Sequence, residues 1–145
     1  MSSTTSQLLA HDGLGLLVRH WEASPARARL LLIHGLGEHS GRWEHVGDYL
    51  AARGYDVTSF DLRGHGASGG DRIDIQSFNE FLEDVELLLE GRGARLLGLM
   101  SGHSMGGLIA ASYGMSSRPQ PALYVPFVPV LGDAFPVALR AGAFI

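Results

Sequence analysis

The sequence has 145 residues, of which 46% are hydrophobic, and it carries a formal net charge of −4, with seven histidines and no cysteine. This length and apolar content predict one compact domain with a buried core and exclude a disordered segment. The interspersed charges lack the basic face that nucleic-acid binding needs. The absence of lysine and cysteine excludes a Walker-type phosphate loop, Schiff-base chemistry, thiol nucleophiles and cysteine metal sites.

Neither a secretory signal nor a membrane span is indicated by the sequence. Residues 1–7 are polar and uncharged, without the basic stretch and apolar run of a signal peptide. The longest aliphatic runs, such as residues 30–33, fall far short of the roughly 20 residues needed to cross a bilayer. We therefore expect a cytoplasmic location.

The first part of the chain predicts two strands and a helix. Residues 14–21 follow an Asp-Gly hairpin turn signal and have the pattern of a strand. The continuously aliphatic residues 30–33 predict a strand buried on both faces, which runs into a glycine-rich turn at residues 34–41. A helix that ends near Gly54 is predicted next. Its apolar face consists of Trp43, Val46, Leu50 and Ala51.

The middle of the chain predicts another strand and another helix. Residues 55–60 have the composition of a strand, and a long glycine-rich loop follows over residues 61–70. The second helix begins at a capping box formed by Ser77 and Glu80, and its apolar stripe is typical of core packing. That stripe consists of Phe78, Phe81, Leu82, Val85, Leu88 and Leu89.

The last third of the chain extends the same alternation. Residues 95–100 predict a strand, and residues 105–115 predict a helix rich in small residues. Residues 123–131 are long enough for another strand, but Pro126 and Pro129 each remove a ladder donor, which predicts an edge strand or an irregular segment. The alternation predicts an α/β fold with a mostly parallel sheet and helices on both of its faces.

The segment GHSMG at residues 102–106 gives the strongest functional signal. It lies between an apolar strand and a helix, which is the setting of a nucleophile elbow. A serine hydroxyl needs exposure, a base and stabilisation of the oxyanion that it creates. A strained turn provides the exposure, so we predict Ser104 as a nucleophile. The alternative is an inert serine in a plain strand-to-helix turn.

The segment HGLG at residues 34–37 supplies a second part of the same predicted site. It follows a buried strand and bends sharply enough to direct a backbone N–H at the serine. We predict that the N–H groups of Leu36 and Met105 form an oxyanion hole. The alternative is a structural glycine-rich turn. A dinucleotide site is disfavoured, because the third glycine of that motif is absent.

Three motifs occur in a characteristic order: HGLGEHSGRW at residues 34–43, DLRGHGASG at residues 61–69 and GHSMGG at residues 102–107. Together they resemble the α/β-hydrolase superfamily, specifically its monoacylglycerol lipase branch, which is serine aminopeptidase S33-like or lysophospholipase-like. The resemblance covers about residues 10–118. It implies Ser104 as the nucleophile, the two amides above as oxyanion donors, and a monoacylglycerol, lysophospholipid or similar ester as the small-molecule substrate.

Residues around the nucleophile are expected to support the two turns, and the resemblance implies an acyl pocket under a helical cap. The supporting residues are His34, Gly35, Gly102, His103 and Gly106. Neither a cofactor nor a metal ion is expected, because serine ester hydrolysis needs none.

The second half of that family's catalytic apparatus has no counterpart in the sequence. In the family an aspartate and then a histidine follow the serine, whereas here His103 is the last histidine and Asp133 is the only acid after Ser104. Asp133 lies where the family's cap begins, so it is not assigned to the triad. We therefore expect residues 1–132 to form the N-terminal part of an α/β-hydrolase core with its C-terminal strands missing. Residues 133–145 would begin the cap or be a truncated end.

The upstream histidines are predicted to be structural rather than catalytic. His103 should pack beneath the serine turn, because adjacent residues on a turn point to different sides. His65 should form a polar network with Asp61 and Arg63, since buried polar groups need partners. His39 and His45 are expected at the pocket rim or in solvent, and together with His34 they lack the tight helical spacing of metal ligands.

The apolar residues 134–145 lead to a second hypothesis. They would form either a cap helix that faces lipid or a core helix without its partner. Exposed, they would favour self-association or peripheral membrane contact. The serine hydrolase hypothesis therefore stands beside that of a catalytically incomplete fragment or interaction module that lacks the triad aspartate and histidine. Peptidase chemistry on the same site is not separable by sequence.

Overall fold

A computed structural model describes residues 3–91 and 98–129 of the chain. Within these residues six strands and three helices occur, together with a 3-10 turn at Ser40–Trp43. The strands are β1 (Thr4–Leu9), β2 (Gly15–Trp21), β3 (Ala28–Ile33), β4 (Tyr55–Phe60), β5 (Gly98–Ser104) and β6 (Leu123–Pro129). The helices are α1 (Glu44–Ala51), α2 (Asn79–Glu90) and α3 (Met105–Gly114). None of the described helices is long and apolar enough to span a bilayer.

The strands form a mixed, mostly parallel sheet in the order β1-β2-β4-β3-β5-β6. The β1–β2 hairpin is antiparallel, and β2 also runs antiparallel to β4. The pairs β3–β4, β3–β5 and β5–β6 are all parallel. The carboxyl ends of four strands therefore meet at one end of the sheet, where ligand sites of open α/β sheets form. The predicted α/β fold class is confirmed.

Helices cover both faces of the sheet, because successive side chains of β3 point to opposite faces and both sets are apolar. Leu31 and Ile33 lie in the core cluster under α2 and α3. Leu32 lies in the cluster under α1, with Trp21 and Val57. The first cluster also contains Val18, Phe60, Phe81, Val85, Leu88, Met100, Ile109 and Tyr113. This packing agrees with the prediction that residues 30–33 form a strand buried on both faces.

Two local features differ from the sequence predictions. Strand β1 was not predicted, because its polar side chains are exposed and show no apolar alternation. The capping box at α2 is displaced: the Ser77 hydroxyl accepts from the Asn79 amide at 3.2 Å, and the Glu80 carboxylate accepts from the Gln76 amide at 3.2 Å. Phe78 of the predicted stripe precedes the helix and is exposed.

Strand β6 is the last strand of the described sheet and pairs on one side only, with β5. This position agrees with the edge strand that its two prolines predict. The register between β5 and β6 shifts at His103/Ser104, beside the predicted nucleophile. Residues 95–97 of the predicted strand, residues 130–131, Asp133 and the predicted region 133–145 lie outside the described residues.

Candidate active site

Ser104 lies at the junction of β5 and α3 with φ 53° and ψ −117°. A positive φ is rare in a residue with a side chain, and such a conformation costs on the order of 1–3 kcal/mol. The surrounding turn must therefore impose it. This backbone strain is the conformation expected of a nucleophile elbow, which turns the hydroxyl away from the strand and the helix.

The glycines on both sides of Ser104 allow the backbone to pack tightly in this turn. A Cβ atom on Gly102 would collide with the carbonyl oxygen of Gly106. A Cβ atom on Gly106 would collide with the carbonyl of Ile33 and lie 2.5 Å from the carbonyl oxygen of His34. Because the obstacles are backbone atoms, no side-chain movement relieves them. The elbow is thereby packed directly against the end of β3.

The loop after β3 forms a tight turn beside the serine. The Glu38 amide donates to the Gly35 carbonyl at 3.2 Å, and Gly37 has φ 71°, which closes a four-residue turn. The Leu36 amide takes no part in this bond and donates to no acceptor within residues 3–91 and 98–129. A Cβ atom on Gly35 would lie 3.1 Å from the Ser104 Cβ, so the turn and the elbow are in contact.

Met105 is the first residue of α3, directly after the serine. The first four N–H groups of a helix have no partner within the helix, and the partial positive charge of the helix is concentrated there. Leu36 and Met105, the two predicted oxyanion donors, therefore lie in adjoining backbone segments at the same end of the sheet.

His34 is fully buried and links two loops. Its Nε2 accepts from the Leu62 amide at 2.9 Å, so its Nδ1 carries the proton and donates to the Gly35 carbonyl at 2.7 Å. Burial lowers the pKa of His34 to about 4, which leaves the ring neutral at pH 7. With both nitrogens engaged, His34 supports the turn and is not free to accept a proton from Ser104.

The Asp61 carboxylate holds the buried loop that begins at this residue, through one bond within the loop and one to the 3-10 turn. The Asp61 carboxylate accepts from the Ser40 amide at 2.7 Å and from the Ala67 amide at 2.8 Å. Burial opposes its ionisation, but these donors outweigh that effect and hold the pKa of Asp61 below its usual value. His65 donates through Nδ1 to the Arg63 carbonyl at 3.0 Å, and its ring lies 5.3 Å from that of His34.

Arg63 anchors the same loop to the rest of the fold. Its guanidinium makes two hydrogen bonds with the buried Asp84 of α2, at 2.8 and 2.7 Å, and a third with Asp12 at 2.9 Å. These carboxylates, Asp84 first, raise the pKa of Arg63. The side chains of His65, Asp61 and Arg63 do not form the predicted network with one another. Asp61 accepts from backbone amides, the Arg63 guanidinium reaches α2 and the β1–β2 turn, and His65 bonds to the Arg63 backbone, with its Nε2 buried and unpartnered among the described residues.

Glu38 is a site residue to which sequence reasoning assigned no role. Its carboxylate accepts from the Gly35 amide at 3.0 Å, pairs with Arg42 and lies 3.5 Å from Nδ1 of His103. His103 is not packed beneath the turn as predicted: its side chain is one-third exposed and stands edge-on to Trp43, with 6.5 Å between ring centroids. The sequence offers one signal for Glu38, which is that it lies three residues after Gly35 and four residues before Arg42.

The remaining histidines of this region do not form a metal site. His39 and His45 are exposed. Within the described residues no group of three or more histidine, aspartate or glutamate side chains is placed to hold a metal ion.

A family model described as serine aminopeptidase, S33, matches residues 24–142. The chain belongs to this family of α/β-hydrolases. Human monoglyceride lipase is 36% identical to this S33 chain over 107 residues, which are 71% of the chain and 35% of the human protein. The monoacylglycerol lipase of Mycolicibacterium smegmatis is 42% identical over 92 residues, 61% of the chain and 32% of that protein.

Solved structures give the same assignment. A soluble variant of the monoglyceride lipase of Saccharomyces cerevisiae, in complex with a substrate analogue, matches 89% of the S33 chain with a TM-score of 0.79 and 26% identity. The monoacylglycerol lipase of Paleococcus ferrophilus matches 84% of it with a TM-score of 0.72 and 31% identity. The S33 chain spans 46% and 47% of these two structures, and about a third of the two lipases compared by sequence.

Proposed function

We propose that this chain carries the nucleophile and the oxyanion hole of a serine hydrolase that cleaves carboxylic esters, with monoacylglycerols or lysophospholipids as the substrate class. The observation that carries the proposal is the strained backbone of Ser104, φ 53°, at a strand-to-helix turn in contact with the turn at Gly35. Membership of the S33 family supports it, and so do the lipase names of relatives such as the human and mycobacterial proteins.

In the proposed reaction, the Ser104 hydroxyl attacks the acyl carbonyl while a histidine accepts its proton. The carbonyl oxygen becomes an oxyanion, which the N–H groups of Leu36 and Met105 stabilise by hydrogen bonds. The tetrahedral intermediate then collapses, and the alcohol leaves with the proton from the histidine. Water attacks the acyl-enzyme by the same route and releases the fatty acid.

The general base of this mechanism is a histidine that the 145 residues do not include. His34 is buried with both nitrogens bonded, and His65 is also buried, with its ring 5.3 Å from that of His34. His103 precedes the nucleophile and faces Glu38 and Trp43. In the family that the sequence resembles, the base follows the nucleophile in chain order, and no histidine follows Ser104 here, so the proposal takes the base and its aspartate from polypeptide other than this sequence.

The test measures two reactions of the purified chain beside Ser104→Ala. The first is hydrolysis of a short p-nitrophenyl ester and of a monoacylglycerol; the second is stoichiometric labelling by a fluorophosphonate, followed by intact mass. We expect little turnover and slow labelling of Ser104 over a long incubation with excess reagent, because without the base the hydroxyl attacks either electrophile slowly, while the oxyanion hole still favours attack at this serine. Turnover that the alanine variant abolishes would show a base within the chain. No labelling at all would contradict the proposal.

A non-catalytic module is the second candidate, favoured by apolar exposure on β6. Leu123 is 41% exposed and Val125 is 49% exposed, so two apolar side chains on one face of β6 lie in solvent. In this reading the chain associates with itself or with another polypeptide through the apolar C-terminal region, or contacts a membrane surface peripherally. A mass in solution that rises with concentration would support self-association, and a monomer at all concentrations would count against it.

A further inference from the structure

The turn at residues 35–38 is closed from both ends by Gly35 and Glu38. The Glu38 amide donates to the Gly35 carbonyl at 3.2 Å, and the Gly35 amide donates back to the Glu38 carboxylate at 3.0 Å. Such reciprocal bonding fixes the conformation of the residues in between, as it does in a capping box. The residue in between that matters is Leu36, whose amide is left unbonded by the turn.

The same carboxylate also faces the nucleophile segment. The oxygen that accepts from Gly35 lies 3.5 Å from Nδ1 of His103, the residue before Ser104. A Cβ atom on Gly35 would lie 3.3 Å from that oxygen, 3.3 Å from Nδ1 of His103 and 3.1 Å from the Ser104 Cβ. The other carboxylate oxygen pairs with Arg42. The Glu38 carboxylate therefore contacts the backbone of the segment that carries Leu36 and a side chain of the segment that carries Met105.

We propose that Glu38 is a positioning residue that fixes the separation between the Leu36 and Met105 amides, an inference that rests on the proposed function. The carboxylate holds Gly35, next to Leu36, on one side and His103, two residues before Met105, on the other. An oxyanion hole works through donors placed in advance at hydrogen-bond distance from the developing charge. Glu38 sets that placement without touching the substrate.

The charge of Glu38 is suited to this task. Its side chain is 14% exposed, so burial opposes ionisation, but the Gly35 amide and the Arg42 guanidinium outweigh burial and hold the pKa of Glu38 below its usual value. Without the carboxylate, the buried Gly35 amide would have no acceptor there. A buried N–H without a partner is costly, so the turn would rotate it toward water and carry Leu36 with it.

The experiment compares Glu38→Ala and Glu38→Gln with the native chain and with a control, Glu22→Ala, at an exposed site beyond the far end of β2. The first readout is the rate at which a fluorophosphonate labels Ser104. We expect a fall of roughly tenfold or more for Glu38→Ala, since loss of one whole oxyanion donor lowers kcat by about 100-fold to 1,000-fold. Glu38→Gln keeps an acceptor for Gly35, so its labelling rate should lie between those of Glu38→Ala and the native chain. The labelling rate of Glu22→Ala should equal that of the native chain.

The second readout is the amide proton shifts of Leu36 and Met105 by NMR in the labelled protein, where a phosphonyl oxygen stands in for the oxyanion. We expect both amides to move downfield in the native adduct, and only Met105 to do so in Glu38→Ala. If Glu38 merely stabilised the fold, Glu38→Ala would lower the unfolding midpoint, but the Leu36 and Met105 amides would both still move downfield in the adduct. Native-like labelling rates with both amides downfield in Glu38→Ala would overturn the inference.

Two further outcomes remain decisive. If the native chain is not labelled, the proposed function fails, and Glu38 is judged on the unlabelled protein: equal Leu36 amide shifts and equal Gly35 hydrogen exchange in Glu38→Ala and the native chain would overturn its positioning role. If Glu38→Ala does not fold, Glu38→Gln carries the comparison, with a labelling rate equal to that of the native chain as the contradicting result.

Discussion

The imidazole of His34 accepts a hydrogen bond from the amide of Leu62 at 2.9 Å. His34 directly follows β3 and Leu62 is the second residue after β4, so this bond joins two loops at the carboxyl end of adjacent parallel strands. Only the neutral ring can accept it, because protonation places a second N–H where the lone pair was. The conformation of the loop beside Ser104 therefore depends on the protonation state of a buried histidine.

This dependence predicts acid sensitivity. The pKa of His34 is about 4 in the folded chain against an ordinary value of 6.5, so the unfolded chain binds more protons between these values. Stability should therefore fall as the pH drops from 6.5 to 4, by up to about 3 kcal/mol from this residue. Urea unfolding across that range measures it. His34→Gln should be less stable at neutral pH but show a flatter pH dependence, and identical slopes would contradict the assignment.

The strain at Ser104 predicts that function and stability oppose each other at this residue. Ser104→Gly removes the side chain that makes φ 53° unfavourable, so it should raise the free energy of unfolding by about 1 kcal/mol after the greater freedom of glycine in the unfolded chain is subtracted. Ser104→Ala keeps the Cβ atom and the strain, and is the matched control. Denaturant unfolding of both variants gives the comparison. A glycine variant less stable than the alanine variant would argue against strain.

The sequence predicted those parts of the fold and site that depend on local pattern. β4 has the predicted bounds of residues 55–60, because a glycine with φ 86° at position 54 and a run of strand-forming residues define it locally. β1 was missed because its exposed polar residues are held by pairing with β2 rather than by an apolar face. Glu38 was missed because its contact with His103 joins residues 65 positions apart, which no local pattern reports.

Close packing behind the elbow predicts that Gly106 tolerates no side chain. The Cβ atom of Gly106→Ala would collide with the backbone carbonyls of Ile33 and His34, so β3 and α3 would have to move apart. We expect a loss of about 3 kcal/mol or more, at the upper end of overpacking effects. Gly91→Ala is the control, because a Cβ atom there would meet only an ordinary contact of 3.5 Å. Equal unfolding midpoints for the two variants would contradict the packing described.

The buried Arg63–Asp84 pair predicts a large effect of removing one charge and a small effect of removing both. Arg63→Ala leaves Asp84, which is 1% exposed, without its cation, and should cost about 3–5 kcal/mol. Arg63→Met combined with Asp84→Leu replaces both charges by apolar groups and should recover most of that loss.

The matched control for this prediction is Arg118→Ala. The Arg118–Glu86 pair is also an ion pair to α2, but its side chains are 22% and 21% exposed, against 6% and 1% for Arg63 and Asp84. Water screens the Arg118–Glu86 pair more strongly, so its loss should cost about 1 kcal/mol. Denaturant unfolding should therefore rank Arg63→Ala as far less stable than both the double variant and Arg118→Ala. Equal losses in Arg63→Ala and the double variant would mean that side-chain volume, and not the unpaired carboxylate, determines stability where the Asp61 loop meets α2.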